Sequence, residues 1–240
     1  MTAELRKLKE LASRRHTGSS DRELGCVQLL DISGSMGEPA PDSEYDSKIS
    51  ELNAALSTLP QEILKDQYAA GLVRIATITF GAEVKVVQGF VPVDKFQQPT
   101  LQAKGHTPMA EAILRAYALA EEGLARAEKR DQDTYGPWIF MVTDGQPTDS
   151  AELLEKARRR IRQGEEEPNP ARRIAFFAVG VEGADMEQLA RLSVRPPLKL
   201  KGYDYRRMFA WLAASLKQVS RSQLGDRVKL PNPKPYDMEL

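Results

Sequence analysis

The chain has 240 residues, 41% hydrophobic and 28% charged, the balance of a globular protein with enough length for a sizeable core. Lys+Arg and Asp+Glu both number 34, so the formal net charge is zero and nothing advertises a nucleic-acid or membrane surface. The single cysteine, Cys26, rules out an internal disulfide and fits a reducing compartment.

In chain order, Leu5, Leu8 and Leu11 recur at helical spacing and predict a short amphipathic helix over 3–15. This segment has no apolar signal core. The longest apolar stretch, Ile174 to Val181, is too short to span a bilayer. A soluble cytoplasmic protein is expected. Thr17 to Ser20 reads as a link, so residues 1–20 are expected to be an N-terminal helix and linker. The apolar run Cys26 to Leu30 reads as a buried strand ending at Asp31. Residues 37–47 are polar, with Pro39 and Pro41, and read as a surface loop in which Glu38, Asp42, Glu44 and Asp46 are solvated. A helix is predicted over about 48–67, with Ile49, Leu52, Leu56 and Leu59 on one side and Pro60 kinking or splitting it.

Val73 to Phe80 is rich in β-branched residues, and Glu83 to Phe90 follows a tight Gly81-Ala82 turn. The pair predicts a hairpin and one antiparallel edge strand. Thr107 is a candidate N-cap, and Pro108 a candidate first residue, of a helix running to about Ala127. Trp138 to Val142 is near-continuously apolar, as in a sheet buried on both faces. Ser150 opens a helix to about Arg162, and Arg173 to Val179 is a further core strand. A short helix over 185–192, a short strand over 198–200 and a helix over 205–219 complete the pattern, the last with Met208, Trp211, Leu212 and Leu216 inward. This alternation predicts an α/β class: a doubly wound, mostly parallel sheet with one antiparallel edge strand and helices on both faces. The domain is expected over 21–222. Residues 223–240, with Pro231, Pro233 and Pro235, are expected to form an extended, weakly ordered tail.

Candidate chemistry collects at three element ends. Asp31, Ser33 and Ser35 alternate where the first strand emerges at its carboxyl end, the edge on which open α/β sheets bind ligands. All three offer hard oxygen donors, which suit a small divalent cation such as Mg2+. Gly105-His106-Thr107-Pro108 precedes a helix, and Thr143-Asp144-Gly145 follows a strand. Each again puts an oxygen-bearing side chain at the edge of an element. Taken singly, each string also reads as an ordinary turn or helix cap.

Together, the D-x-S-G-S motif at Asp31, the G-x-T-P loop at Gly105 and the T-D-G motif at Thr143 resemble the von Willebrand factor A domain, over about Leu24 to Ser220. The resemblance implies a metal-ion-dependent adhesion site formed by Asp31, Ser33, Ser35, Thr107 and Asp144. It implies Mg2+ as the ion, with Mn2+ and Ca2+ accepting the same donors. It also implies a protein partner that supplies an Asp or Glu to the open coordination position. A narrower resemblance, carried by Ile75 to Phe80 and Pro137 to Asp149, is to the bacterial TerY-type proteins. That likeness implies a stand-alone module of a stress-response or tellurium-resistance system, with a protein phosphatase and a protein kinase as neighbours. His106 stands where the family often has a second glycine.

Enzyme readings have less support, and a non-enzymatic protein is expected. The nucleophile-elbow spacing is absent around Ser33 and Ser35, and His106 precedes Asp144, against the triad order of that fold. Gly34 and Gly37 do not make a dinucleotide fingerprint, and no Walker lysine follows a glycine loop. A metal-dependent phosphoester hydrolase using the same ion is the alternative, and a metal that only rigidifies the loops is a third reading. Asp149 reads as a helix-start residue, Cys26 as core packing, and the basic run Lys156 to Arg160 as the solvated face of a helix.

Overall fold

The computed structural model describes residues 22–41 and 43–239. The helix and link expected within 1–20 lie outside the described residues. Among the described residues, seven strands form one sheet in the order β3-β2-β1-β4-β5-β6-β7. They are β1 (Arg22–Asp31), β2 (Val73–Phe80), β3 (Val84–Pro92), β4 (Asp133–Thr143), β5 (Ala175–Gly180), β6 (Leu198–Leu200) and β7 (Met238–Glu239). The pairs β2–β1, β1–β4, β4–β5 and β5–β6 are parallel. The helices are α1 (Lys48–Ala55), α2 (Thr58–Leu64), α3 (Gln67–Leu72), α4 (Met109–Lys129), α5 (Ala151–Glu165), α6 (Met186–Leu192) and α7 (Tyr205–Ser220).

The central strands are buried on both faces, so their alternation sorts residues between two cores rather than between core and solvent. Leu24, Cys26 and Leu30 of β1, with Trp138, Phe140 and Val142 of β4, join the core under α1, α2, α3 and α7. Val27 and Leu29, with Ile139 and Met141, join the core under α4, α5 and α6. Burial pushes the Cys26 thiol up to about 12, so it acts as packing. Each fully buried Leu, Ile or Phe contributes about 1.5–3 kcal/mol, and the two cores hold most of the large apolar residues of the described chain.

Three local features depart from the sequence reading. The helix expected over 48–67, with Pro60 kinking or splitting it, is indeed split, but into three, and the breaks fall before and after the proline rather than at it. Pro60 sits in the first turn of α2, where a missing N–H costs nothing because first-turn donors have no intrahelical acceptor. Asp66 accepts from Ala69 N at 3.2 Å and starts α3. Second, Thr107 does not cap α4, which begins at Met109 with no side-chain cap from its own flank. Third, the segment expected as a weakly ordered tail packs against the body. Pro231 O accepts from Trp211 Nε1 at 2.9 Å, Met238 is fully buried, and β7 pairs antiparallel with β6. The sheet therefore carries a second antiparallel edge strand besides the expected β3. The physical reason is the exposed edge of β6, whose unpaired backbone groups the returning chain satisfies.

From β1 the chain passes to β2 on one side and, after the hairpin, returns through α4 to β4 on the other. The β1/β4 border is thus the point where the winding reverses, and a crevice opens beyond the carboxyl ends of those two strands.

Candidate functional site at the carboxyl ends of β1 and β4

Asp31 is the last residue of β1, and Thr143 the last of β4. Leu30 registers with Val142, so the next residues, Asp31 and Thr143, fall side by side and on the same face. Thr143 Oγ1 donates to Asp31 Oδ2 at 2.5 Å, and Ser33 N donates to Asp31 Oδ1 at 2.7 Å. Asp31 is fully buried. That burial pushes its carboxyl up to about 6; the bonds from Ser33 and Thr143 pull the value back and the nearby Asp144 charge adds to it.

Beyond β1 the chain makes a single 3-10 turn over Gly34–Gly37. The turn brings the Ser33 and Ser35 hydroxyls to 3.1 Å from each other. Ser35 Oγ donates to Asp144 Oδ1 at 2.7 Å. Ser35 has one proton to give, so in the bond between the two hydroxyls Ser33 is the donor. The chain of bonds Ser33 to Ser35 to Asp144 ties the loop after β1 to the loop after β4.

The third element is the loop before α4. Gly34 N donates to Gly105 O at 3.0 Å, and Lys104 N to Ile32 O at 2.7 Å, so this loop is stitched to the one after β1. Gly105 has φ +86°, and a Cβ there would lie 2.4 Å from Ala82 N, so only glycine fits. Thr107 is buried, and its N–H donates to Thr148 Oγ1 while its carbonyl accepts from Thr148 N. Its hydroxyl has no hydrogen-bond partner among the described residues. A Cβ on Gly145 would come within 3.0 Å of Thr107 Oγ1 and 3.6 Å of Asp31 Oδ2, so the hydroxyl and the Asp31 carboxylate both border the same glycine. His106 is exposed on the rim. Thus all five residues singled out from the sequence, Asp31, Ser33, Ser35, Thr107 and Asp144, come to one end of the sheet from three separate loops.

Three further residues complete the site and were not singled out as its members. Thr143 fixes the Asp31 carboxylate; the T-D-G motif contained it, but only the β1–β4 register shows which neighbour it meets. Asp149, read as a helix-start residue, accepts from Ala110 N at 3.0 Å and Glu111 N at 3.2 Å, so it caps α4 from across the loop. Ser150, not Asp149, caps α5. Lys48, the first residue of α1, is 5% exposed and puts Nζ 2.7 Å from Asp144 Oδ2 and 3.2 Å from Glu38 Oε2. Burial by itself would lower the Lys48 pKa, but the bonds to Asp144 and Glu38 outweigh it and hold the ammonium above the ordinary lysine value. No sequence signal marks Lys48, because its contact with Asp144 spans 96 positions.

Chemically, the site offers two buried carboxylates and three hydroxyls, with no nitrogen or sulfur donor in the set. Among the described residues no cluster of three His, Cys, Asp or Glu side chains forms. Hydroxyl-rich oxygen donors of this kind can hold a hard divalent cation together with waters, and the free Thr107 hydroxyl fits such a group.

Comparison with solved structures gives the same architecture. The pilus adhesin SpaC from Lactobacillus rhamnosus GG superposes with a TM-score of 0.59 at 12% identity, over 83% of this chain and 31% of that one. Proximal thread matrix protein 1 from the mussel byssus gives 0.53 at 12% identity, over 82% and 48%. The PilB minor pilin from Streptococcus sanguinis gives 0.52 at 11% identity, over 82% and 61%. This chain spans less than two thirds of each of those proteins, and at these identities the likeness is one of fold. Comparison with curated protein sequences finds no match. Among the described residues no helix is long and apolar enough to cross a membrane. The family model for the von Willebrand factor type A domain matches residues 27–206, most of the chain and all five residues above, and the chain belongs to that family.

Proposed function

We propose that this protein is a non-enzymatic protein-interaction module that grips an acidic group of a partner through a divalent cation held by Asp31, Ser33, Ser35, Thr107 and Asp144. The observation that carries the proposal is the convergence of three hydroxyls and two buried carboxylates at the winding reversal, one hydroxyl without a partner. Mg2+ is the favoured ion because it takes few carboxylates and keeps several waters; Mn2+ and Ca2+ accept the same oxygens. A cation bound mainly by neutral hydroxyls stays electrophilic and attracts an incoming Asp or Glu carboxylate. The protein's own residues supply the rest: Thr143 and the Ser33 N–H orient Asp31, and Asp149 caps the helix that follows the Thr107 loop.

The likeness of Ile75 to Phe80 and Pro137 to Asp149 to TerY-type proteins favours a cytoplasmic bacterial stress-response or tellurium-resistance setting. It also favours an operon-linked phosphatase or kinase as the partner. Calorimetric titration with Mg2+ and Mn2+ tests the cation. Binding by the parent that Asp31→Ala abolishes supports the proposal, and equal binding by both overturns it. Affinity capture in Mg2+, in EDTA, and with Asp31→Ala in Mg2+ tests the partner. A partner kept in all three overturns adhesion through this site. Metal-dependent turnover of a phosphoester by the parent, lost in Asp31→Ala, would establish the hydrolase reading instead.

A further inference from the structure

The site contains a cation of its own. Lys48 enters from α1, whose N-cap Ser47 accepts from Ser50 N and sets where the helix starts. Its ammonium lies 2.7 Å from Asp144 Oδ2, while Asp144 Oδ1 takes the Ser35 hydroxyl at 2.7 Å, so both oxygens of that carboxylate are engaged. Glu38, 64% exposed at its side chain, closes over the ammonium at 3.2 Å. Gly183 lines the space on another side: a Cβ there would stand 4.0 Å from Lys48 Nζ and 3.4 Å from Asp144 O. A buried carboxylate left without a positive neighbour is costly, and the ammonium removes that cost.

We propose that Lys48 is a tethered ammonium that competes with the divalent cation for Asp144 and sets the net charge of the loaded site. The inference rests on the cation reading of the site given above. Two cations cannot share one carboxylate in a buried site without repelling each other. Loading therefore loosens the Lys48–Asp144 contact and turns the ammonium toward Glu38. Counting charges, Asp31, Asp144 and Glu38 supply three negatives, Lys48 one positive and the cation two positives. The loaded site is then neutral, whereas without the Lys48 ammonium it would carry a net negative charge that repels an incoming carboxylate. Lys48 thus weakens metal binding while favouring an acidic ligand once the metal is in place.

The test replaces Lys48 with Met, which keeps the apolar stem, and with Gln, which keeps a polar end. Mn2+ affinity is read by electron paramagnetic resonance, and the thermal midpoint is read in EDTA. The expected result is opposite in sign for the two measurements: Mn2+ affinity rises about tenfold or more, and the metal-free midpoint falls. A lysine with a merely structural role would lower both. In the parent protein, 15N-lysine spectra should show the Lys48 ammonium signal moving as Mg2+ is added, a readout that needs no variant to fold. Variants that bind Mn2+ no tighter than a parent that does bind it, or a Lys48 signal unmoved at saturating Mg2+, overturn the competition and leave the cation reading standing. Absence of Mn2+ binding in parent and variants alike overturns both. Binding by the variants but not by the parent supports the competition in its extreme form.

Discussion

Asp149→Ala separates support of the site from ligation. The Asp149 carboxylate accepts from Ala110 N at 3.0 Å and Glu111 N at 3.2 Å, at the start of the 21-residue helix α4. Loss of a capping carboxylate costs about 0.5–2 kcal/mol, and its charge at a helix N-terminus adds about 0.3–1 kcal/mol at a partly exposed position. The expected cost is therefore about 1–3 kcal/mol. For a chain of 240 residues this lowers the thermal midpoint by about 2–12 °C. Asp149→Asn keeps one acceptor oxygen and should lose about half as much. Cation affinity behaves differently. The Thr107 carbonyl still accepts from Met109 N at 2.8 Å and from Thr148 N at 3.0 Å, so the loop keeps two anchors. Mg2+ affinity of Asp149→Ala should stay within about threefold of the parent, whereas Asp31→Ala abolishes it. Denaturation with and without Mg2+, alongside calorimetry, measures both. A cost below about 0.5 kcal/mol would refute the capping role. Loss of Mg2+ as complete as in Asp31→Ala would make Asp149 a ligand.

Gly145→Ala pushes a methyl to 3.0 Å from Thr107 Oγ1 and 3.4 Å from Thr107 Cγ2, so Thr107 must shift; a stability loss of about 1–3 kcal/mol and clearly weaker Mn2+ binding are expected, checked by denaturation and paramagnetic resonance. In metal-free protein the Asp31 carboxyl sits at about 6, raised by burial from 3.8. The folded state therefore holds a proton that the unfolded state releases, and this contribution is full below pH about 4 and lost as pH rises through about 6. Urea titrations in EDTA should show a decline of order 3 kcal/mol across that window, absent in Asp31→Asn; the same slope in both refutes the assignment. Met238→Ala empties a fully buried position in β7, with an expected cost of about 2–4 kcal/mol by urea denaturation; a cost under about 0.5 kcal/mol would mean that the C-terminal segment does not stabilise the body.

The parts legible in the sequence were those whose signal is local. Val73 to Phe80, rich in β-branched residues, forms β2 over that very span, and the turn at Gly81 produces the antiparallel β3. Met208, Trp211, Leu212 and Leu216 face inward on α7 because a 3.6-residue period places them on one stripe. Where competing local forces are close, the reading slipped. The split allowed for at Pro60 falls just before it, because proline fits the first turn of the new helix, and the cap expected of Thr107 is supplied by Asp149 instead.

The sequence by itself determined the α/β class, the order of the main strands and helices, and that oxygen-bearing residues lie at three element ends, while their grouping as one set of five came from the resemblance to the von Willebrand factor A domain. Periodicity and turn chemistry act over a few residues, so one chain is enough to read them. Only the tertiary structure decided what those residues meet. Thr143 reaches Asp31 across 112 positions, Lys48 reaches Asp144 across 96, and Asp149 caps a helix that begins 40 residues before it. The return of Met238 to pair beside β6 is of the same kind. Such contacts depend on which strands become neighbours and in what register, and that is set by packing two cores at once rather than by any local run of side chains.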